Sequence, residues 1–160
     1  MTIQAGDKLP EATFKVMTAN GPEDLTTDGL CAGKTVVIFA LPGAFTPTCS
    51  AKHLPGFIDH AAELRDKGVD SIACLSVNDA FVMGAWGKDK GAGGDVVMLA
   101  DGNADFTKAL GLELDASGFG MGIRSQRYAM VVKDGVVTTL NVEAPGAFEV
   151  SSAEAILAAL

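Results

Sequence analysis

Apolar and polar positions follow two periods along this chain. KTVVIFAL (34–41) is an unbroken apolar, β-branched run of the kind found in strands covered on both faces. In the stretch after it, 47–66, Leu54, Phe57, Ile58, Ala61 and Leu64 recur at helical spacing, with Glu63, Arg65 and Lys67 on the polar side, which predicts a helix. Pro55 interrupts that pattern. It has no N–H for the carbonyl of Ala51, so the helix is expected to kink about two turns after its start; a helix that begins only at Pro55, with Cys49 left in a loop, is the alternative. VDSIACLSV (69–77) reads as a second buried strand, FVMGAWGKD as a short helix, DVVMLA (95–100) as a strand and ADFTKALGLEL as a helix. RYAMVV and VVTTLNV flank KDG as an antiparallel hairpin, and Ser151 with Glu154 forms a capping box before AEAILAAL. Parallel strand-helix units followed by a hairpin and a helix predict an α/β fold, a central mixed β-sheet flanked by helices. No repeat or linker divides 1–160, which is read as a single domain.

Composition narrows the function. A chain of 160 residues fits one core that buries roughly 70% of its unfolded surface. The 12 Lys+Arg against 20 Asp+Glu give a net charge of -8, which repels phosphate and lacks the basic stripe needed for nucleic acid or an anionic membrane. MTIQAGDKLP has neither a basic start nor an apolar stretch, and no apolar run approaches the ~20 residues of a membrane span. A soluble, cytoplasmic protein is expected. Cys31, Cys49 and Cys74 lie 18 and 25 residues apart, matching neither a secreted disulfide framework nor paired CxxC metal ligands. Reduced or redox-cycling thiols fit that spacing.

The chemistry concentrates in LPGAFTPTC (41–49), where two prolines, a glycine and two threonines separate a buried strand from a cysteine. With Thr46 as N-cap, Pro47 takes the first helical position, where its missing N–H costs nothing, and Cys49 falls in the first turn. Free backbone N–H groups and the positive end of the helix dipole there favour a charged sulfur. Thiolate supply alone raises a rate modestly. A larger gain needs groups that stabilise charge developing in the transition state.

The spacing Pro42-x-x-x-Thr46-x-x-Cys49 resembles the motif of the peroxiredoxins. PGAFTPTCSAKHLPGF, VDSIACLSVNDAFVMGAW and GIRSQRYAMVV are similar, in order, to their type II, peroxiredoxin-5-like branch, and compatible patterns cover nearly the whole chain. The resemblance implies a thioredoxin-like fold with an N-terminal extension. It also implies thiol-dependent reduction of hydrogen peroxide and organic hydroperoxides without metal, haem or flavin. Carried over by position, Cys49 is the peroxidatic nucleophile, which becomes a sulfenic acid. Thr46 presents its hydroxyl to sulfur and peroxide, Pro42 screens the sulfur, and Arg127 donates to sulfur and peroxide oxygens. Gly43 and the Cys49 amide supply backbone contacts, and Phe45 walls the pocket. His53, four residues after Cys49, is either half of a Cys-His pair or a supporting residue. Arg124 competes with Arg127 and is read as a surface or supporting residue. His60 is expected to be exposed, Trp86 to lie near the active-site side, and Cys31 to be incidental.

The second half-reaction has two open routes. No cysteine follows Cys74, which closes the route that uses a C-terminal resolving cysteine. Cys74 resembles the second cysteine of plant-type members and is a possible resolving residue. It is expected about three residues inside its strand, ~10 Å below the edge, so the first helical turn would have to unwind before a disulfide formed. Otherwise glutathione, glutaredoxin or thioredoxin reduces the sulfenic acid. Family likeness further implies a homodimer. Among the rivals, thioredoxin-type exchange lacks its CxxC. A cysteine hydrolase lacks an oriented base, and zinc binding by Cys49, His53 and Cys74 lacks a full ligand set. A non-enzymatic peroxide sensor remains the alternative class.

Overall fold

The computed structural model describes residues 2–160. A seven-stranded sheet is laid out in the order Gly21–Thr26, Thr13–Thr18, Val97–Ala100, Ser71–Ser76, Thr35–Ala40, Tyr128–Lys133, Val136–Val142. Its centre is β3 (Thr35–Ala40), β4 (Ser71–Ser76) and β5 (Val97–Ala100), mutually parallel in the pairs β3–β4 and β4–β5. These are the uninterrupted apolar runs of the sequence, and both their faces are covered, as such runs require. One layer joins Val37, Phe39, Leu41, Ile72 and Cys74 to the helices that contain Leu54, Phe57, Met83, Trp86 and Ile156. The opposite layer joins Val36, Ile38, Ala40, Ala73 and Leu75 to Leu30, Phe106 and Leu110. The expected mixed sheet with helices on both faces is therefore present.

Outside that centre, β8 (Tyr128–Lys133) pairs antiparallel with β3 and with β9 (Val136–Val142). The connection uses Asp134 and Gly135, both at positive φ, the twist that a tight hairpin needs. The sequence reading missed an N-terminal hairpin of β1 (Thr13–Thr18) and β2 (Gly21–Thr26), which adds to the β5 edge. It also assigned helix too far along ADFTKALGLEL. Helix α5 (Asp105–Leu110) stops at Gly111, φ 72°, and Glu113–Asp115 forms β6, paired with β7 (Ile123–Ser125).

The helices α1 (Thr27–Cys31), α2 (Leu54–Asp59), α3 (Ala61–Asp66), α4 (Ala80–Lys90) and α6 (Ala153–Ala159) complete the layers. Two local expectations change. The single helix over 47–66 is divided at His60, φ -100° and ψ 10°, into α2 and α3. The cap of α6 is Ser152, whose Oγ accepts from the Ala155 N–H at 3.1 Å, because Ser151 is engaged elsewhere. His60 is also less exposed than expected: its ring nitrogens bond Glu63 and Glu154 at 3.0 Å each, tying α3 to α6.

Candidate active site

Chain direction carries Cys49 to the carboxyl edge of the sheet. β3 ends at Ala40, Leu41 donates to the Leu75 carbonyl at 3.3 Å, and a short loop returns the chain to a helix that starts at Pro47. The loop is held by its own polar groups. Thr46 Oγ1 donates to the Gly43 carbonyl at 2.7 Å, Ala44 N–H donates to Asn78 Oδ1 at 3.0 Å, and Arg124 donates to the Pro42 carbonyl at 3.2 Å. A Cβ at Gly43 would stand 2.7 Å from the Arg124 guanidinium, so a larger residue there would push that flexible side chain off the Pro42 carbonyl. Phe45 has φ 63°, a left-handed conformation that costs a bulky residue about 1–2 kcal/mol.

Pro47 takes the first helical position and Cys49 the third, as expected. The Thr46 carbonyl accepts from Ser50 N–H at 2.9 Å. The Thr46 side chain does otherwise than expected. Its proton is committed to Gly43, so it does not donate to the sulfur, and its lone pairs, which take no N–H of the helix, remain for another donor. Cys49–His53 then forms a π-helical turn, closed by Leu54 N–H on the Cys49 carbonyl. This wider turn accommodates Pro55, which cannot complete the bond to Ala51. It is the form taken by the expected kink, and it lies in the turn that carries Cys49 and His53.

Three side chains converge on this turn. One terminal nitrogen of Arg127 donates to Cys49 Sγ at 3.1 Å, and the other donates to His53 Nδ1 at 2.8 Å. His53 Nε2 lies 2.9 Å from the Ser151 carbonyl. A carbonyl only accepts and a guanidinium only donates, so the proton must sit on Nε2 and the ring must be neutral. Burial and the adjacent Arg127 charge bring the His53 pKa down to about 3, against weaker opposition from the Ser151 carbonyl and Glu143. His53 therefore cannot serve as a base for Cys49. With both nitrogens occupied it holds the Arg127 guanidinium, the contact that a supporting role requires. The same two hydrogen bonds leave neither His53 nitrogen free for a zinc ion.

Packing encloses the cluster. Phe39 and Phe57 stack at 4.0 Å beside His53, and Phe148 meets the ring edge-on at 5.0 Å while lying 5.8 Å from the Arg127 guanidinium carbon. Cys49 is 1% exposed. Trp86 lies on the active-site side as expected, its indole N–H donating to Ser50 Oγ at 2.9 Å. Phe45 leans toward Trp86, with ring centroids 6.4 Å apart, but is 53% exposed. It stands out from the loop and does not line an enclosed wall. The remaining thiols sit elsewhere. Cys74 is opposite Phe39 in the β3–β4 ladder, two residues from the end of β4 and one residue nearer the edge than expected. It is fully buried, and burial first, then the neighbouring Cys49, pushes its thiol well up. Burial and Asp28 push Cys31 up to about 11, with Lys34 opposing.

Sequence reasoning missed Asn78, Ser151, Glu143 and Phe148. Asn78 and Ser151 act through loop hydrogen bonds that no periodicity marks. Glu143 and Phe148 flank the Pro145-Gly146 turn, a signal that was readable but not tied to Arg127.

His53 predicts acid sensitivity. Its folded pKa lies below the unfolded value, so the unfolded chain binds the extra proton between pH ~6.5 and ~3 and stability falls as pH drops through that window. The slope is about 1.4 kcal/mol per pH unit, or roughly 2.7 kcal/mol lost from His53 by pH 4.5. Urea unfolding at pH 7, 5.5 and 4.5 should show a flatter dependence for His53→Gln than for the parent. Equal slopes would contradict the neutral, buried imidazole.

An enclosed sulfur at a helix start, faced by a fixed guanidinium at the carboxyl edge of a thioredoxin-like sheet, defines a cysteine-based redox protein. The Redoxin family pattern matches residues 4–157. The chain is 57% identical to peroxiredoxin-2E-2, chloroplastic, of Oryza sativa subsp. japonica over 99% of its own length and 73% of that protein. It is 50% identical to peroxiredoxin-2B of Arabidopsis thaliana, over 99% and 98%. Reduced Prx3 from Vibrio vulnificus in complex with hydrogen peroxide superposes with a TM-score of 0.95 at 61% identity, covering 99% of each chain. The chain belongs to the redoxin family and, within it, to the peroxiredoxins, cysteine-based thiol peroxidases.

Proposed function

We propose that Cys49 performs the peroxidase reaction as the attacking sulfur, with hydrogen peroxide and small organic hydroperoxides as substrates. The observation that carries this reading is the Arg127 fork, 3.1 Å from Sγ and clamped by His53. In the proposed step the Cys49 thiolate attacks one peroxide oxygen, the O–O bond breaks, and its electron pair leaves on the other oxygen. That oxygen takes a proton to become water or an alcohol, and the sulfur becomes a sulfenic acid. Arg127 is always charged and donates in a fixed plane, so it stabilises the negative charge as it passes from sulfur to the leaving oxygen. Thr46 lone pairs and the loop amides orient the peroxide. Hydrogen peroxide is supported by the bound ligand of the Vibrio vulnificus relative and by the 1% exposure of Cys49, which favours small oxidants.

Reduction of the sulfenic acid is assigned to an external thiol such as glutathione, glutaredoxin or thioredoxin. Two thiols are consumed, giving a disulfide, water and the restored Cys49. An internal Cys49-Cys74 disulfide is the second reading. It is favoured by the shared core layer of the two residues and opposed by the burial that keeps the Cys74 thiol protonated. Mass spectrometry after one equivalent of hydrogen peroxide, with a sulfenic-acid trap, separates the two. A trapped adduct on Cys49 in both the parent and Cys74→Ser is expected. A Cys49-Cys74 linkage in the parent would replace the external route with the internal one.

The proposal extends to a homodimer. Phe119 lies in the turn before β7, Ile123 opens β7, whose Arg124 reaches the Pro42 carbonyl, Phe45 is in the neighbouring loop, and all three hydrophobic residues are exposed. A second copy covering them would remove apolar surface from water. Cytoplasmic residence is proposed from the three free thiols, which suit a reducing compartment.

A further inference from the structure

Glu143 is a buried carboxylate, 7% exposed, that the peroxidase chemistry does not use. Burying such a charge is costly unless hydrogen bonds compensate it. Here they do. A single oxygen, Oε2, accepts from the N–H groups of Glu149 at 2.8 Å and of Val150 and Ser151 at 2.9 Å, and from Ser151 Oγ at 2.6 Å. Four donors on one anion fix the segment after the Pro145-Gly146 turn, and the bonds are of the stronger, charge-assisted kind.

What that segment carries matters more than the segment itself. The Ser151 carbonyl holds His53 Nε2, Phe148 packs on the His53 ring and under the guanidinium, and His53 Nδ1 holds Arg127. On the other side, Glu143 follows the last residue of β9, and its N–H donates to the Arg127 carbonyl at 2.9 Å. The polar connections thus close into a ring. The backbone of Arg127 meets the backbone of Glu143, the Glu143 side chain meets Ser151, Ser151 meets His53, and His53 meets the Arg127 side chain. Both ends of the arginine are referred to the same residue.

We propose that Glu143 is a positioning residue for the peroxidase reaction, fixing through Ser151 and His53 the direction in which Arg127 points at Cys49. The guanidinium hangs on a long side chain whose rotamers must be restricted if its donors are to meet a charge that exists only briefly. Small misplacements of such donors cost rate steeply. Aspartate would be too short to keep all four donors on one oxygen, and glutamine would keep an acceptor but lose the charge.

The inference rests on Arg127 acting at the sulfur, so the experiment tests both at once. The second-order rate constant for hydrogen peroxide is measured by rapid mixing, using Trp86 emission, for the parent, Glu143→Ala, Arg127→Met and the double variant, at a temperature well below each Tm. Glu143→Ala is expected to slow the parent reaction at least tenfold, yet to slow the Arg127→Met protein by less than about twofold, since no guanidinium is left to aim. A purely structural role would give the same factor in both backgrounds, and that result, or no loss in the parent, overturns the proposal. An unchanged rate in Arg127→Met would instead remove the reading of Arg127 itself. If Glu143→Ala does not fold, Glu143→Gln enters the same comparison, with roughly threefold expected in the parent and none in Arg127→Met; equal factors there again overturn it.

Discussion

Cys49→Ser is expected to lose peroxide turnover altogether, by at least roughly 10⁴-fold with hydrogen peroxide and dithiothreitol. The oxygen of serine fits the space but is almost wholly protonated at neutral pH, is far less polarisable than sulfur, and forms no sulfenic acid for a thiol to reduce. The completeness of the loss follows from the other two thiols. Cys31 is 1% exposed with its pKa pushed up to about 11, and Cys74 is fully enclosed with its thiol held protonated by burial. Neither offers a thiolate to a peroxide near pH 7, and neither is hydrogen-bonded to an arginine. Consumption of peroxide by Cys49→Ser above the buffer rate would move the chemistry to another group and end the assignment.

The site was legible where chemistry and chain direction coincide. LPGAFTPTC announced a strand end, a tight loop and a helix start through residues whose φ preferences leave little choice, and the cysteine took the expected third helical position. β3, β4 and β5 were legible because strands covered on both faces must be apolar throughout. The hairpin of β1 and β2 was not. GPEDLT is an edge strand with two carboxylates facing water, and charged edges are how sheets avoid pairing with other chains; the property that protects the strand also hides it. Asn20-Gly21, where the turn meets the start of β2, is a usable turn signal. Pro55 signals a kink, yet which wider turn absorbs it depends on the packing of Leu54 and Phe57 beneath β3. The capping-box spacing to Glu154 fits Ser151 and not Ser152, yet Ser151 is taken by the Glu143 carboxylate and its neighbour Ser152 caps the helix. The two roles open to His53 have a similar cause. Spacing from Cys49 says that it shares a helical face, while its protonation is set by Ser151 and Arg127, 98 and 74 residues away in sequence.

Arg127→Met should lower the rate constant for hydrogen peroxide by about 10²–10³-fold, the usual loss when one donor to a developing anion is removed. Methionine keeps much of the buried aliphatic volume against Phe148 and takes away the charge and both hydrogen bonds. Arg127→Lys should recover less than about tenfold of that loss, because a single ammonium cannot span Cys49 Sγ and His53 Nδ1 in the planar arrangement that the guanidinium uses. Arg124 provides the contrast. Its nitrogens go to the carbonyls of Pro42 and Met121, at 3.2 and 3.0 Å, so it shapes the loop without reaching the sulfur, and Arg124→Met should cost less than about tenfold. Rapid-mixing rates for these three variants at one pH and ionic strength decide which arginine faces the reaction. A larger loss for Arg124→Met than for Arg127→Met would reverse their roles and leave the His53 clamp without a purpose in the peroxide step.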